Sequence, residues 1–398
     1  MRFAAGRPVL AIPGPSPVPD EVLRAMHRPS PDIYGDELAA LNLRLIAGLR
    51  QLAGTRQHVA PYIGNGHAAW EAANLNMLAP GDRALVLTAG HFGRAWAENA
   101  RAIGVQVETI EAAPFTAPDP RMLADRLGAD RKHEIRAVLV CHVDTSTSVR
   151  ADIPAIRAAM GDHPALLAVD AIASLGCEPV HMDDWGIDVL VSASQKGLMV
   201  PPGLAFVWFS DRVAAGRGAA TPYWDWRPRS TATELWQFWG GTPPVQHMFG
   251  LDTALDMLLR DEGLPAVWAR HEGLAAATWA ALDAWGGRAG TSAVRPAIRA
   301  HVADPAHRAM SVTAVALPGA ETLRRWTATT AGLTLGIGLG AAEPADAMRI
   351  AHMGHLSAQT HLGTLATIEA GLAALNLPHG PGGTAAAAAE IARRGAAS

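Results

Sequence analysis

The sequence predicts an α/β fold built on a mostly parallel sheet covered by helices. Short apolar runs of strand length recur from about residue 60 to 210, and segments of helical periodicity separate them. That alternation buries a parallel sheet on both faces. Residues able to do chemistry (His142, Asp170 and Lys196) fall at or just past the ends of the runs. In such sheets a ligand sits beyond the carboxyl ends of the strands.

In chain order, strands are expected at 83–88, 105–110, 135–142, 165–170, 187–192 and 204–209, with helices near 68–78, 93–103, 119–127 and 153–160. From 221 to 244 the pattern breaks into a stretch holding Trp224, Trp226, Trp236 and Trp239 among Gly, Pro and Thr residues. Helices are expected at 245–260 and 264–285, then a smaller α/β region with strands at 311–316 and 348–350 and a last helix near 362–375. The division that follows is an N-terminal arm (1–20), a large domain (21–262), a small C-terminal domain (263–378) and an Ala-rich tail (379–398) that is either a loose arm or a short helix.

A chain of 398 residues is long enough for a substantial core. Its net charge of −4, with no basic stripe, gives no electrostatic footprint for nucleic acid. No apolar run reaches membrane-spanning length. Cys141 and Cys177 have no disulfide or zinc spacing, which suits a reducing cytoplasm.

The most informative stretch is Ser194-Gln195-Lys196-Gly197, set between two buried strands and followed by Pro201-Pro202-Gly203. A random lysine snorkels to the surface. One held between core strands is desolvated toward the neutral amine that attacks a carbonyl, so Lys196 is a Schiff-base candidate. Asp170 ends another apolar strand. An Asp after a strand often caps a helix, but a strand-end Asp with a strand-end Lys is the pair that pyridoxal phosphate needs. The acid keeps the ring nitrogen protonated and the amine meets the aldehyde.

Gly64-Asn65-Gly66-His67 opens a helix and reads as a phosphate cup, or as an ordinary tight turn. Gln195 and Thr242 are further side-chain donors for it. Phe92 follows a strand and can stack on a flat cofactor or simply fill the core. Thr145 lies in a polar turn after residue 142 and can touch the cofactor's phenolic oxygen. Arg349 sits in an apolar strand, where an arginine is costly unless it meets an anion; a substrate carboxylate or a structural ion pair both answer. His352 and His355 have a His-x-x-His spacing without the neighbours a metal site needs.

Taken together these stretches resemble the class V aminotransferases of fold type I, near the alanine–glyoxylate and serine–glyoxylate (serine–pyruvate) aminotransferases. The matching stretches are Pro13-Gly14-Pro15-Ser16, Gly64-Asn65-Gly66-His67, Gly90-His91-Phe92-Gly93-Arg94, His142-Val143-Asp144-Thr145-Ser146-Thr147, the Asp170 and Lys196 blocks, Asp184-Trp185-Gly186-Ile187-Asp188 and Met348-Arg349-Ile350, spread over residues 11–375. The resemblance implies pyridoxal 5′-phosphate bound to Lys196, Asp170 on its ring nitrogen, Phe92 and Ile172 on its two faces, and Gly66, His67 and Gln195 on its phosphate. It implies Thr145 on the ring hydroxyl, Thr242 reaching in from a partner subunit, and Arg349, with Asn65 nearby, on the substrate. It implies a homodimer with the site at the interface, acting on small amino acids and 2-oxo acids such as glyoxylate or pyruvate. Asn65 stands where relatives often have serine, Phe92 where they have tryptophan, and Trp239 where a tyrosine often contacts the phosphate.

Pyridoxamine–pyruvate aminotransferase is a second likeness, through 266–271 and 349–354. It uses an additional arginine that 336–340 lacks. A lyase on the same fold is the remaining enzymatic alternative, and an inactive binding protein the non-enzymatic one.

Overall fold

A computed structural model describes residues 3–216, 218–219, 221–287 and 298–396. Seven strands form the principal sheet, in the spatial order His58–Gly64, Gly203–Phe209, Val189–Ala193, Leu166–Asp170, Ile135–Cys141, Arg83–Thr88 and Gln106–Glu111. All run the same way except Gly203–Phe209, which is antiparallel to both its neighbours. The six expected strands are present with ends shifted by two residues at most, and the strand at 58–64 is an addition. Continuous apolar runs such as Val138-Leu139-Val140 and Val189-Leu190-Val191 are buried on both faces, as a helix-covered parallel sheet demands.

Helices Gly66–Met77 and His91–Ala102 pack on one face with Trp70, Trp96 and Trp226. Helix Asp36–Leu52, which sequence reading did not resolve, packs on the other with helix Val245–Asp256. Its Leu38, Leu41, Leu45, Leu49 and Leu52 recur at helical spacing and are all buried.

A second sheet of five strands runs Val9–Ala11, Leu333–Ile337, Ala347–Ala351, Val312–Ala316 and Arg299–Ala300. Residues 9–11 pair in parallel with 333–335, so the N-terminal segment is stitched into this sheet rather than standing off as a separate arm. Helices Leu264–Gly286 and Ala358–Ala374 cover it. The Ala-rich tail resolves as a helix, Gly383–Gly395, whose Ala387 is buried beside Trp285.

The Trp-rich segment is mostly interior. Trp226 stacks on Phe209 at 4.4 Å, Trp239 donates to Asn42 Oδ1 at 3.0 Å, and only Trp236 of the four is largely exposed. Arg229 ties the segment down. Its guanidinium is buried, donates to the carbonyls of Pro61, Phe238 and Tyr223, and lies 4.1 Å over the Tyr62 ring. Packing across a partner was one reading of these tryptophans; for Trp226 and Trp239 the partner is their own chain. Among the described residues no helix is long and apolar enough to cross a membrane.

Candidate active site

A pocket of about 150 Å³ opens at the carboxyl ends of the parallel strands. Asn65, Gly66, His67, Phe92, Thr145, Asp170, Ile172, Gln195 and Lys196 line it, together with Trp70, Val143 and Ala173. Nine of the eleven residues singled out from the sequence therefore converge; Thr242 and Arg349 are not in the lining.

Lys196 sits between Ala193, where one core strand ends, and Gly203, where the antiparallel strand begins. Pro13-Gly14-Pro15-Ser16 wraps it: its Nζ donates to the Pro13 carbonyl, and Ser16 Oγ donates to its carbonyl at 2.7 Å. Gly14 has a positive φ of 104°, and a Cβ there would collide with the lysine side chain, so only glycine fits. Lys196 opens to solvent only in part, and desolvation lowers its ammonium to about 8, helped by the Arg349 charge and opposed by Asp170. The neutral amine is thus within reach near physiological pH. The sequence holds just two lysines, Lys132 and Lys196, and Lys132 is exposed.

Asp170 ends strand Leu166–Asp170 and is buried. One oxygen accepts from the Ile172 amide at 2.7 Å and the other from the Trp70 indole at 2.9 Å, with the Cys141 thiol 3.7 Å away. Burial lifts its carboxyl to about 7 against the pull of those donors. A buried acid in this state gains by facing a cation, such as a protonated ring nitrogen.

The cup forms where strand His58–Gly64 turns into helix Gly66–Met77. Asn65 caps the helix by accepting from the His67 and Ala68 amides at 3.1 and 3.4 Å. A side chain on Gly66 would run into Ile172 and fill the pocket. Gln195 Oε1 is buried and has no hydrogen-bond partner. An unpaired buried oxygen inside a pocket calls for a donor, while the amide's Nε2 is the end that can donate to a phosphate. His67 leans on the Trp70 ring at 4.6 Å.

Phe92 is positioned by Asp144, a residue sequence reading passed over. The buried Asp144 carboxylate accepts from the amides of Phe92 and Gly93 at 2.9 and 3.1 Å, and from Ser146. It caps helix His91–Ala102 and aims Phe92 at the pocket. Asp followed two residues later by Ser is the turn pattern that could have exposed it.

Arg349 lies on strand Ala347–Ala351, buried, with Nε on the Ile337 carbonyl at 2.8 Å and Nη1 on the Thr145 carbonyl at 3.1 Å. Among the described residues it has no carboxylate within ion-pair distance, so the structural ion pair is not its explanation. It borders the site through Thr145, and burial lowers its guanidinium to about 10.

One expectation needs correction. His142 does not share the site: it is buried, bonds Ser174 Oγ at 2.9 Å, and lines a separate cavity with Arg150, Glu178 and Trp185. The bend after Cys141 turns its ring away while sending Val143 and Thr145 inward. Thr242, expected to act from a partner subunit, is exposed and lies outside its own chain's pocket. His352 is spoken for within the core, by the Met310 carbonyl at 2.7 Å and Thr313 Oγ1 at 3.0 Å.

A lysine and an acid at strand ends face one small pocket beside a glycine-bearing helix start, in a helix-covered, mostly parallel sheet: the frame of an α/β transferase. Residues 9–316 match the model of the family described as aminotransferase class-V, and the chain belongs to that family. It is an aminotransferase.

The chain is 32% identical to a serine–glyoxylate aminotransferase of Arabidopsis thaliana, over 92% of this chain and 90% of the relative. Among solved structures, ureidoglycine–glyoxylate aminotransferase from Bacillus subtilis superposes with a TM-score of 0.87 at 26% identity, covering 98% of this chain and 99% of that one. Pyridoxamine–pyruvate aminotransferase from Mesorhizobium loti gives 0.86 at 28%, covering 99% and 100%. The three names differ in the amino donor and share a small 2-oxo acid acceptor.

Proposed function

We propose that this protein is a pyridoxal 5′-phosphate-dependent transaminase moving an amino group from a small amino acid, serine or alanine or a close analogue, to glyoxylate or pyruvate. The observation that carries this reading is the meeting of Lys196 and Asp170 in one pocket, with Gln195 in its lining. Bound there, the cofactor supplies an aldehyde that exchanges amines and a ring that accepts an electron pair.

The protein's own residues do the rest. Lys196 holds the cofactor, then as a free amine moves the proton at the substrate Cα. Asp170 keeps a negative charge against the ring nitrogen. Phe92 and Ile172 flank the ring, and Thr145 offers a hydroxyl to its phenolic oxygen. Gly66, His67 and Gln195 hold the phosphate. Arg349 grips the substrate carboxylate and so orients the Cα–H bond, with Asn65 at the rim.

Thr242, exposed and outside its own pocket, is assigned to the site of a second copy; exposed Tyr34, Ile63 and Trp236 support a homodimer with the site at its interface. Both cysteines are buried and free, in keeping with a cytoplasmic setting and against a thiol-based desulfurase.

The test is a half-reaction screen. Amino acids are mixed one at a time with the cofactor-loaded protein, and bleaching of the visible cofactor band is followed; pyridoxamine is tested separately, with cofactor-free protein and pyruvate, by the appearance of pyridoxal. Small amino acids should bleach the band and glyoxylate or pyruvate restore it. Turnover without a 2-oxo acid would make the protein a lyase, and bleaching by no amino acid would sink the reading.

A further inference from the structure

One helix serves both ends of the proposed cofactor. The first turn of Gly66–Met77 borders the phosphate cup, and one turn on, about 6 Å along the axis, Trp70 reaches Asp170. Trp70 is fully buried and itself braced: Trp96 stacks on it at 6.1 Å with the rings 11° apart, and Trp96 in turn donates to Asn74 Oδ1 at 3.2 Å.

An indole N–H can only donate, and so can the Ile172 amide on the other oxygen. Both fixed partners therefore stabilise the carboxylate rather than the acid. The other ionisable groups that bear on Asp170 are Lys196, which favours the charge, Asp144, which opposes it, and the Cys141 thiol, held neutral by burial, which adds a longer hydrogen bond at 3.7 Å to the oxygen that Trp70 reaches. Of the two uncharged side-chain donors on that oxygen, the Trp70 indole at 2.9 Å is the nearer and the stronger, the Cys141 thiol at 3.7 Å being a weak donor.

We infer that Trp70 is a positioning residue: its indole N–H fixes the Asp170 carboxylate against the ring nitrogen and keeps it ionised, locking the distance between the nitrogen-binding and phosphate-binding ends of the site. The inference rests on the pyridoxal phosphate reading above.

The test replaces Trp70 by Phe, which keeps an aromatic ring and removes the donor. Carbon-13 aspartate labelling follows the Asp170 carboxyl in cofactor-free protein, the signal being assigned by its loss in Asp170→Asn. The carboxyl pKa should rise by about one unit or more, the scale of one hydrogen bond to a charged group. In loaded enzyme kcat should fall roughly tenfold, with the donor KM nearly unchanged.

If Trp70→Phe does not fold, benzothienylalanine at position 70, isosteric and without the N–H, gives the same readout. A purely structural role would lower the melting temperature and leave the carboxyl titration where it was, and that result overturns the inference. Wild-type protein that never takes up pyridoxal phosphate overturns the cofactor reading and this role with it. An unchanged pKa in protein that does bind the cofactor overturns the tuning alone.

Discussion

Replacing Arg349 by methionine separates carboxylate recognition from everything else the site does. Two of the guanidinium's donors are committed to the Ile337 and Thr145 carbonyls, and among the described residues no carboxylate lies within ion-pair distance of it, Asp144 acting on it only from farther off. It is a desolvated cation waiting for an anion. Breaking such a charge pair costs about 2–5 kcal/mol, or roughly 30- to 5000-fold in affinity at about 1.4 kcal/mol per tenfold. The two carbonyls left without that donor lower stability by about 1–3 kcal/mol each at most, so folding is checked by urea denaturation first. The assay compares alanine with ethylamine in single half-reactions, since ethylamine keeps the amine and lacks the carboxylate. Alanine should weaken across the stated range and ethylamine should not change. Equal loss for both, or none for alanine, refutes the assignment.

Lys196→Ala should fold and lose turnover entirely; normal turnover would remove the lysine from the chemistry. Capture of pyridoxal phosphate by cofactor-free protein should speed up as pH rises through about 8, where the Lys196 amine becomes neutral, and a flat rate from pH 6.5 to 9 would contradict that. Arg229→Met leaves three carbonyls without their donor and should cost about 2–4 kcal/mol in urea unfolding; a loss below about 0.5 kcal/mol would show the knot to be ornamental. Acid should destabilise the fold. Burial holds His142 and His271 at about 3, His361 at about 4 and His352 well below its ordinary value, so the unfolded chain takes up their protons first. Their stabilisation is complete above about pH 6.5 and is lost as pH falls. Asp170 and Glu178, raised to about 7, act with the opposite sign between pH 4 and 7, and with His301, also lowered to about 4, five histidines against two carboxyls leave a net proton uptake on unfolding. A urea midpoint that does not fall between pH 6.5 and 5 would refute this balance.

The principal sheet was legible because its strands are continuous apolar runs punctuated by helices. Strand His58–Gly64 was missed because Pro61 breaks its pattern; it lies at the sheet edge, where a proline is tolerated. Leu333–Ile337 carries a glycine and alternates weakly, and its place depends on pairing with residues 9–11 more than three hundred positions away. The site residues were legible where chemistry demands a residue type: an amine, an acid, glycines at a helix start. His142 misled because strand-end position says nothing of which way a side chain turns. Trp70 and Asp144 act on other site residues rather than on a ligand, and their roles appear only once the helices are in place. Pro13-Gly14 was visible as a motif, but its contact with Lys196 joins residues 183 positions apart in sequence.

Reduction of the pyridoxal phosphate-loaded protein with borohydride, then peptide mass mapping, is the most direct measurement. With only two lysines in the chain the outcome is unambiguous. A pyridoxyl mass on the peptide containing Lys196, absent from Lys196→Ala, is what the account predicts. The mass on Lys132, or on no lysine at all, would contradict it.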